Sequence, residues 1–197
     1  MKIFYRSSVL LFAFFTVMFS GCAYIPHDVV IKPEISVEQS NIGQNKTMLV
    51  TVKDGRLKDT IGFRTYLNTG RITVSAAQNL TQDIKSTIEK GFNDLGFSII
   101  QQGSADRNTH VDIRLIDFES THGFLTLGTF VRASFELECT LPSGKSFTNI
   151  YRVEYEFRHS FVSTAAKNRT LINRAISDAL MRIFKDNDFL RFLETGQ

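Results

Sequence analysis

Residues 131–139, VRASFELEC, alternate apolar and polar side chains without interruption. Strict period two puts Val131, Ala133, Phe135, Leu137 and Cys139 on one face of a strand and Arg132, Ser134, Glu136 and Glu138 on the other. The pattern returns downstream, where Tyr151, Val153, Tyr155 and Phe157 alternate with Arg152, Glu154, Glu156 and Arg158. Between the two lies Pro142-Ser143-Gly144-Lys145, which has turn chemistry. An antiparallel hairpin follows. Pairing Glu136 with Arg152 and Arg132 with Glu156 sets opposite charges face to face. A shift that opposes Glu136 to Glu154 and Arg132 to Arg158 sets like charges together, which destabilises the pair. The favoured register predicts Ser143-Gly144-Lys145 as a three-residue loop.

The flanking sequence extends this sheet. His110 to Glu119 alternates through Val111, Ile113 and Leu115, then loses phase at Ile116, which predicts a bulge near that point. Met48 to Lys53 reads as a buried strand ending in the Asp54-Gly55 turn. Ile72 to Ala76 is a second short strand, and Phe97 to Gln101 another. Leu80, Ile84, Ile88, Phe92 and Leu95 recur at helical spacing, so a helix is expected from Leu80 to Leu95. Asn79 with Gln82 fits an N-cap arrangement, and Gly96 is a natural stop. A second amphipathic helix is expected from Asn168 to Lys185, with Ile172, Ala175, Ile176, Ala179, Leu180, Ile183 and Phe184 on its apolar face. Asp186-Asn187-Asp188 breaks it, and Phe189 to Leu193 forms a last short turn. The expected order is β-β-α-β-β-β-β-α. That is an α+β two-layer domain, a mostly antiparallel sheet with two amphipathic helices on its apolar face.

The N-terminus has a different character. Lys2 and Arg6 precede an apolar run from Val9 to Phe19, broken only by Thr16 and followed by Ser20-Gly21. These are the parts of a secretory signal peptide, and the run is shorter than the ~20 residues of a membrane-spanning helix. Phe19-Ser20-Gly21-Cys22 resembles a bacterial lipobox, with Phe19 in the place usually held by Leu. The resemblance implies cleavage before Cys22 and acylation of that residue. Ala23, in place of an aspartate, implies sorting to the outer membrane. The expected organisation is a signal peptide over 1–21, a lipidated N-terminus and tether over 22–47, and one periplasmic domain over 48–197.

Cleavage there leaves 176 of the 197 residues and removes two of the 23 basic ones, so 21 basic residues face 20 acidic ones. The remaining net charge of +1 does not supply the concentrated basic patch that nucleic acid needs. Of the two cysteines, Cys22 is committed to lipid, and Cys139 is left on an apolar face as a small core residue. Eighteen Phe and no Trp point to a core held by phenylalanine and aliphatic side chains.

No catalytic constellation is legible. The four histidines, His27, His110, His122 and His159, lack metal-ligand spacing. His110 and Asp112 share a strand face and read as a solvated edge. Asp54-Gly55-Arg56 is the best polar candidate, at the end of a buried strand, and reads first as a turn with a local ion pair. Neither a cofactor nor an enzymatic activity is expected. Residues 121–130, THGFLTLGTF, place Phe124, Leu125 and Leu127 in a glycine-flanked apolar loop, a candidate contact for a partner or lipid. Phe189 is a further candidate of the same kind.

Four segments together resemble the YajG-like outer-membrane lipoproteins of Gram-negative bacteria. They are Gly21-Cys22, Ile31-Lys32-Pro33-Glu34-Ile35, the strand Leu49-Val50-Thr51-Val52-Lys53-Asp54-Gly55-Arg56, and the helix end Ile88-Glu89-Lys90-Gly91-Phe92 followed by Leu95-Gly96-Phe97. The stretch from Tyr151-Arg152-Val153-Glu154 to Asp188-Phe189-Leu190-Arg191-Phe192-Leu193 runs parallel as well. The resemblance implies a small periplasm-facing lipoprotein. Together with the anchor it favours a binding or structural module that meets an envelope protein complex, with a lipid or glycan binder as the second expectation. Intact-mass spectrometry of native protein is expected to find the chain starting at Cys22 with its acyl groups attached; an unmodified Cys22 behind an intact leader would contradict this.

Overall fold

The computed structural model describes residues 27–66, 70–77, 79–122, 127–158 and 164–196. Among these residues, eight strands form one sheet, and three helices pack on its apolar face. The strands are β1 (His27–Val29), β2 (Thr47–Asp54), β3 (Thr60–Tyr66), β4 (Arg71–Ala76), β5 (Ser98–Ile100), β6 (Arg107–His122), β7 (Leu127–Thr140) and β8 (Ser146–Arg158). The helices are α1 (Leu80–Asp94), α2 (Ala165–Phe184) and α3 (Asn187–Thr195). The α+β class is as expected. The sheet is mixed, however, where a mostly antiparallel one was expected: β2 and β3 run parallel to β6, β5 to β2, and β1 to β4. The antiparallel pairs are β3–β4, β6–β7 and β7–β8.

The long strand β6 organises the sheet. One edge pairs with β7 from Asn108 to His122. The other edge is divided: β2 holds Arg107 to Ile113, and β3 holds Phe118 to His122. The predicted bulge lies at Arg114, where the β6–β7 register slips between Ile113 and Leu115. Before it Val111 and Ile113 face the core; after it Ile116 and Phe118 do. The extra residue accounts for the lost phase in the sequence.

The β7–β8 hairpin corrects the expected register by two residues. Arg132 lies opposite Glu154, and Ser134 opposite Arg152. The turn decides it. Gly144 N–H donates to Leu141 O (2.9 Å), and Gly144 takes φ 83°, so the three-residue loop is Pro142-Ser143-Gly144. A type I turn closed by a left-handed glycine requires glycine at the third loop position, and that moves the register.

α1 ends as expected. Gly96 has φ 89°, its N–H donates to Asn93 O, and Phe97 N–H donates to Phe92 O. These are the two bonds of a Schellman motif, with the Phe92 and Phe97 rings edge to face at 6.0 Å. The expected cap at Asn79 does not form: Asn79 is left-handed and its side chain makes no capping bond. α2 begins three residues earlier than expected, capped by Thr164, whose Oγ1 accepts from Lys167 N–H. Asp186 ends α2 and caps α3, accepting from the N–H groups of Asp188 and Phe189. It also accepts from Asn149 Nδ2 and Tyr151 Oη, which ties α3 to β8.

Residues 27–46 are not the slack tether expected up to residue 47. Val29, Ile31 and Ile35 are buried. The Asn173 side chain accepts from Lys32 N–H (2.6 Å) and donates to Val30 O (3.0 Å), and Glu34 N–H donates to Ser177 Oγ (2.9 Å). Residues 30–34 are held along α2, and Ser40 and Gly43 N–H groups donate to Asp94 O and Leu95 O at the end of α1, by hydrogen bonds that a single-sequence pattern does not display.

Gly91 on α1 is buried against α2, and a Cβ there would lie 2.4 Å from Phe184 Cζ. Alanine would gain ~1 kcal/mol of helix propensity, against about 1–3 kcal/mol of overpacking. Gly91→Ala is therefore expected to lower unfolding stability by about 1 kcal/mol, and Phe184→Leu in the same chain to recover part of that loss. A urea-denaturation double-mutant cycle that shows no coupling would contradict the packing account.

Candidate functional site

β2 ends at Asp54 opposite Ile113, and β3 reaches β6 again only at Gly62 opposite Phe118. Between them the chain leaves the sheet through residues 55–59, and residues 114–117 of β6 have no strand partner on that edge. A cleft of about 240 Å³ fills this fork. Arg56, Leu57, Lys58, Ile61 and Phe63 line one side, and Arg114, Leu115, Asp117 and Arg132 the other. The bulge contributes directly. It turns Leu115 onto the helix-free face, beside Arg114, and so gives the cleft an apolar floor.

Charged side chains around the fork are held in place by one another. Arg56 Nε and Nη2 donate to the two oxygens of Asp54 at 2.8 and 2.7 Å, a bidentate pair whose guanidinium is only 6% exposed. Arg114 bridges Asp112 (3.1 Å) and Glu136 (2.6 Å), and Arg132 pairs with Asp117. The Arg56 guanidinium beside Asp54 holds that carboxyl below its ordinary range. Gly55 lets this turn close on β6, since a Cβ there would meet Asp112 Oδ1 at 2.2 Å. Donors are left over. Arg56 Nη1 and Arg132 Nε are buried without hydrogen-bond partners, as is the acceptor Asp112 Oδ1. Leu57, at the rim, is fully exposed.

The other sequence candidates fall elsewhere. Cys22, Phe124 and Leu125 lie outside the described residues, as does the side chain of Leu127, which opens β7 opposite His122. Phe189 is corrected from a surface contact to a core residue: it is fully buried, with its ring 5.2 Å from Phe147 and 6.3 Å from Phe92. His110 Nδ1 lies 2.9 Å from Thr51 Oγ1, while Asp112 turns to Arg114. Cys139 is buried in the core, and burial pushes its thiol pKa up. Among the described residues, no group of three or more His, Cys, Asp or Glu side chains could hold a metal ion. The sequence drew attention to Asp54-Gly55-Arg56 but missed Leu57, Leu115, Arg114 and Arg132. The available signal was the phase loss at Ile116, which placed a bulge next to that turn.

Mixed sheet, one helical layer and a continuous core define a small α+β domain. The chain belongs to the family described as uncharacterized lipoprotein, the YajG family, whose model matches residues 33–194. No curated protein sequence matches it. Among solved structures, protein XCC0632 of Xanthomonas campestris shares the fold at TM-score 0.56 and 11% identity, over 85% of this chain and 99% of that one. A minor lipoprotein of Acinetobacter baumannii aligns more loosely, at TM-score 0.47 and 9% identity over 76% and 95% of the two chains. A neuraminyllactose-binding hemagglutinin homolog of Helicobacter pylori aligns at TM-score 0.45 and 10% identity over 85% and 98%.

The Asp54–Arg56 pair sets a pH test. A carboxyl held below its ordinary value of 3.8 contributes stability above that pH, and the contribution is lost as pH falls through the folded-state value. Asp54→Asn is expected to be less stable than the parent at pH 7 by about 1–2 kcal/mol, less than the ~3–5 of a fully buried pair because Asp54 is a third exposed. The gap should narrow in urea melts below about pH 4. A gap independent of pH would remove the ion pair from the account.

Proposed function

We propose that the protein is a binding or structural module of the cell envelope, anchored in the outer membrane through lipid on Cys22, facing the periplasm, and not an enzyme. Membership of a lipoprotein family supports the anchor. Among the described residues, no helix is long and apolar enough to cross a membrane. The observation that carries the reading is the position of β1. His27 is already paired to β4, five residues after Cys22. Five extended residues reach at most ~18 Å, so an acylated Cys22 holds the folded domain against the bilayer surface. A partner in this reading is membrane-proximal.

The helix-free sheet face suits a protein partner in an envelope complex. Asp112, Arg114, Asp117, Arg132, Glu136, Arg152 and Glu154 interleave both signs at positions set by the strands, with exposed Ile150 among them. Interleaved charge favours a complementary protein surface over nucleic acid or any other uniform polyanion. A second reading, a binder of envelope lipid or glycan, is favoured by the fork cleft with its exposed Leu57.

A photo-reactive residue at position 150 of the full-length lipoprotein in cells is expected to trap one discrete protein adduct. The adduct should disappear with Cys22→Ser and with the charge reversal Arg152→Glu. Identical adducts from position 169, on the exposed side of α2, or an adduct indifferent to both substitutions, would sink the reading.

A further inference from the structure

We infer that the fork cleft takes an oxyanion, phosphate or carboxylate, borne at the end of an apolar chain. The inference rests on the ligand-binding reading and gives it a chemistry. Four cations line the cleft, Arg56, Lys58, Arg114 and Arg132, against one lining carboxylate, Asp117. The neighbouring carboxylates Asp54, Asp112 and Glu136 balance the charge from outside the lining but leave donors in excess. Arg56 Nη1 and Arg132 Nε both lack acceptors, and the Arg56 side chain is 94% buried, at 6% exposure. A buried donor without an acceptor is costly, so a group rich in acceptors is what the lining lacks. The orphan acceptor Asp112 Oδ1 is not in the lining; it packs where a Cβ on Gly55 would lie 2.2 Å away.

The rest of the cleft is apolar. Phe63 and Leu115 line it, the core residue Ile61 backs it, and Leu57 stands exposed at its mouth. At about 240 Å³ the cleft falls below the ~300–1,000 Å³ of sites that enclose whole small molecules. It therefore fits a head group and the first carbons of a chain that leaves past Leu57. Lys58 and Arg132 make the first contact. Arg56 Nη1 and Arg132 Nε are both closed to solvent, so Arg132 makes that contact through the exposed part of its guanidinium, and the 55–59 loop must shift for the two unmatched donors to engage.

The test uses the full-length protein in nanodiscs of zwitterionic lipid, titrated with hexyl phosphate, hexanoate, inorganic phosphate and hexanol, and read on the Leu57 and Ile61 methyl resonances. Hexyl phosphate and hexanoate are expected to saturate. Inorganic phosphate should bind at least about tenfold more weakly, and Arg132→Gln and Leu57→Ser should each weaken hexyl phosphate by about tenfold. Leu57 touches nothing that folding needs, so its substitution keeps the test valid if Arg132→Gln disturbs the sheet. Hexyl phosphate binding no tighter than hexanol, equal binding of inorganic phosphate, or parental affinity in both variants would each overturn the assignment. Saturable hexanol binding alone would overturn the oxyanion while leaving a ligand-binding cleft.

Discussion

β6 has to serve two strands on one edge. β2 and β3 run in the same direction, both parallel to β6, and succeed one another along it. Two parallel strands joined by a short connection cannot form a continuous ladder on one neighbour without a gap where the chain steps out and returns. Here the gap spans residues 114–117 of β6, and the bulge at Arg114 sits within it. The opposite edge cannot yield, because β7 pairs with β6 along almost its whole length. The fork is thus a consequence of topology, and the chemistry around it, with its paired arginines, exposed leucine and excess donors, follows from what the gap leaves uncovered.

The other face of the sheet holds β6 and β7 in place behind the fork. Ile113, Ile116 and Phe118 on β6 are buried beside Val131, Ala133 and Phe135 on β7, beneath α2. The three helices are tied to one another and to the sheet. Phe92 of α1 packs edge to face on Phe184 of α2 and Phe189 of α3. Lys46 Nζ donates to Leu193 O and Glu194 O at the end of α3. Asp186 gathers Asn149, Tyr151 and two helix N–H groups on one carboxylate. Burial would raise that carboxyl's pKa, and the four donors overcome it, so the pKa is lowered instead. A carboxylate so held stays charged at neutral pH and keeps α3 on the sheet.

The sequence showed what is periodic. Alternation gave β7 and β8, helical spacing gave the buried faces of α1 and α2, and a break in alternation gave the bulge. It did not show what depends on distant partners. β3 (TIGFRTY) carries Gly62 where Phe118 O approaches so closely that a Cβ would lie 1.7 Å from it, and that glycine obscures the alternation. β1 has three residues and exists through its pairing with β4. Charge alone favours the wrong hairpin register, because Arg132 finds its carboxylate sideways on β6, at Asp117. A lateral partner satisfies the charge in more than one register, so the turn geometry decided. At the site, Asp54 and Arg56 were visible because they are neighbours in the chain. Arg132 and Leu115 were not, because only the fork brings them to the same place.

A polar sheet face and a functional site differ in what is left unsatisfied. Arg114 and Arg132 on the helix-free face find carboxylates one strand away, at Glu136 and Asp117, and exposed pairs of that kind contribute little stability, about 0–1 kcal/mol. Arg56 is different: its guanidinium is removed from water, two of its nitrogens are committed to Asp54, and the third is given nothing. Burying a charge for stability alone is a poor exchange, since apolar residues of similar volume serve as well or better. Leu57, the next residue, is fully exposed at the mouth of the same cleft, where it is free to meet an apolar chain. The unmatched arginine and the exposed leucine are consecutive residues, beside the interval where the β2–β3 edge of β6 lacks a strand partner. A ligand with an anionic head and an apolar chain is the chemistry that would match both at once.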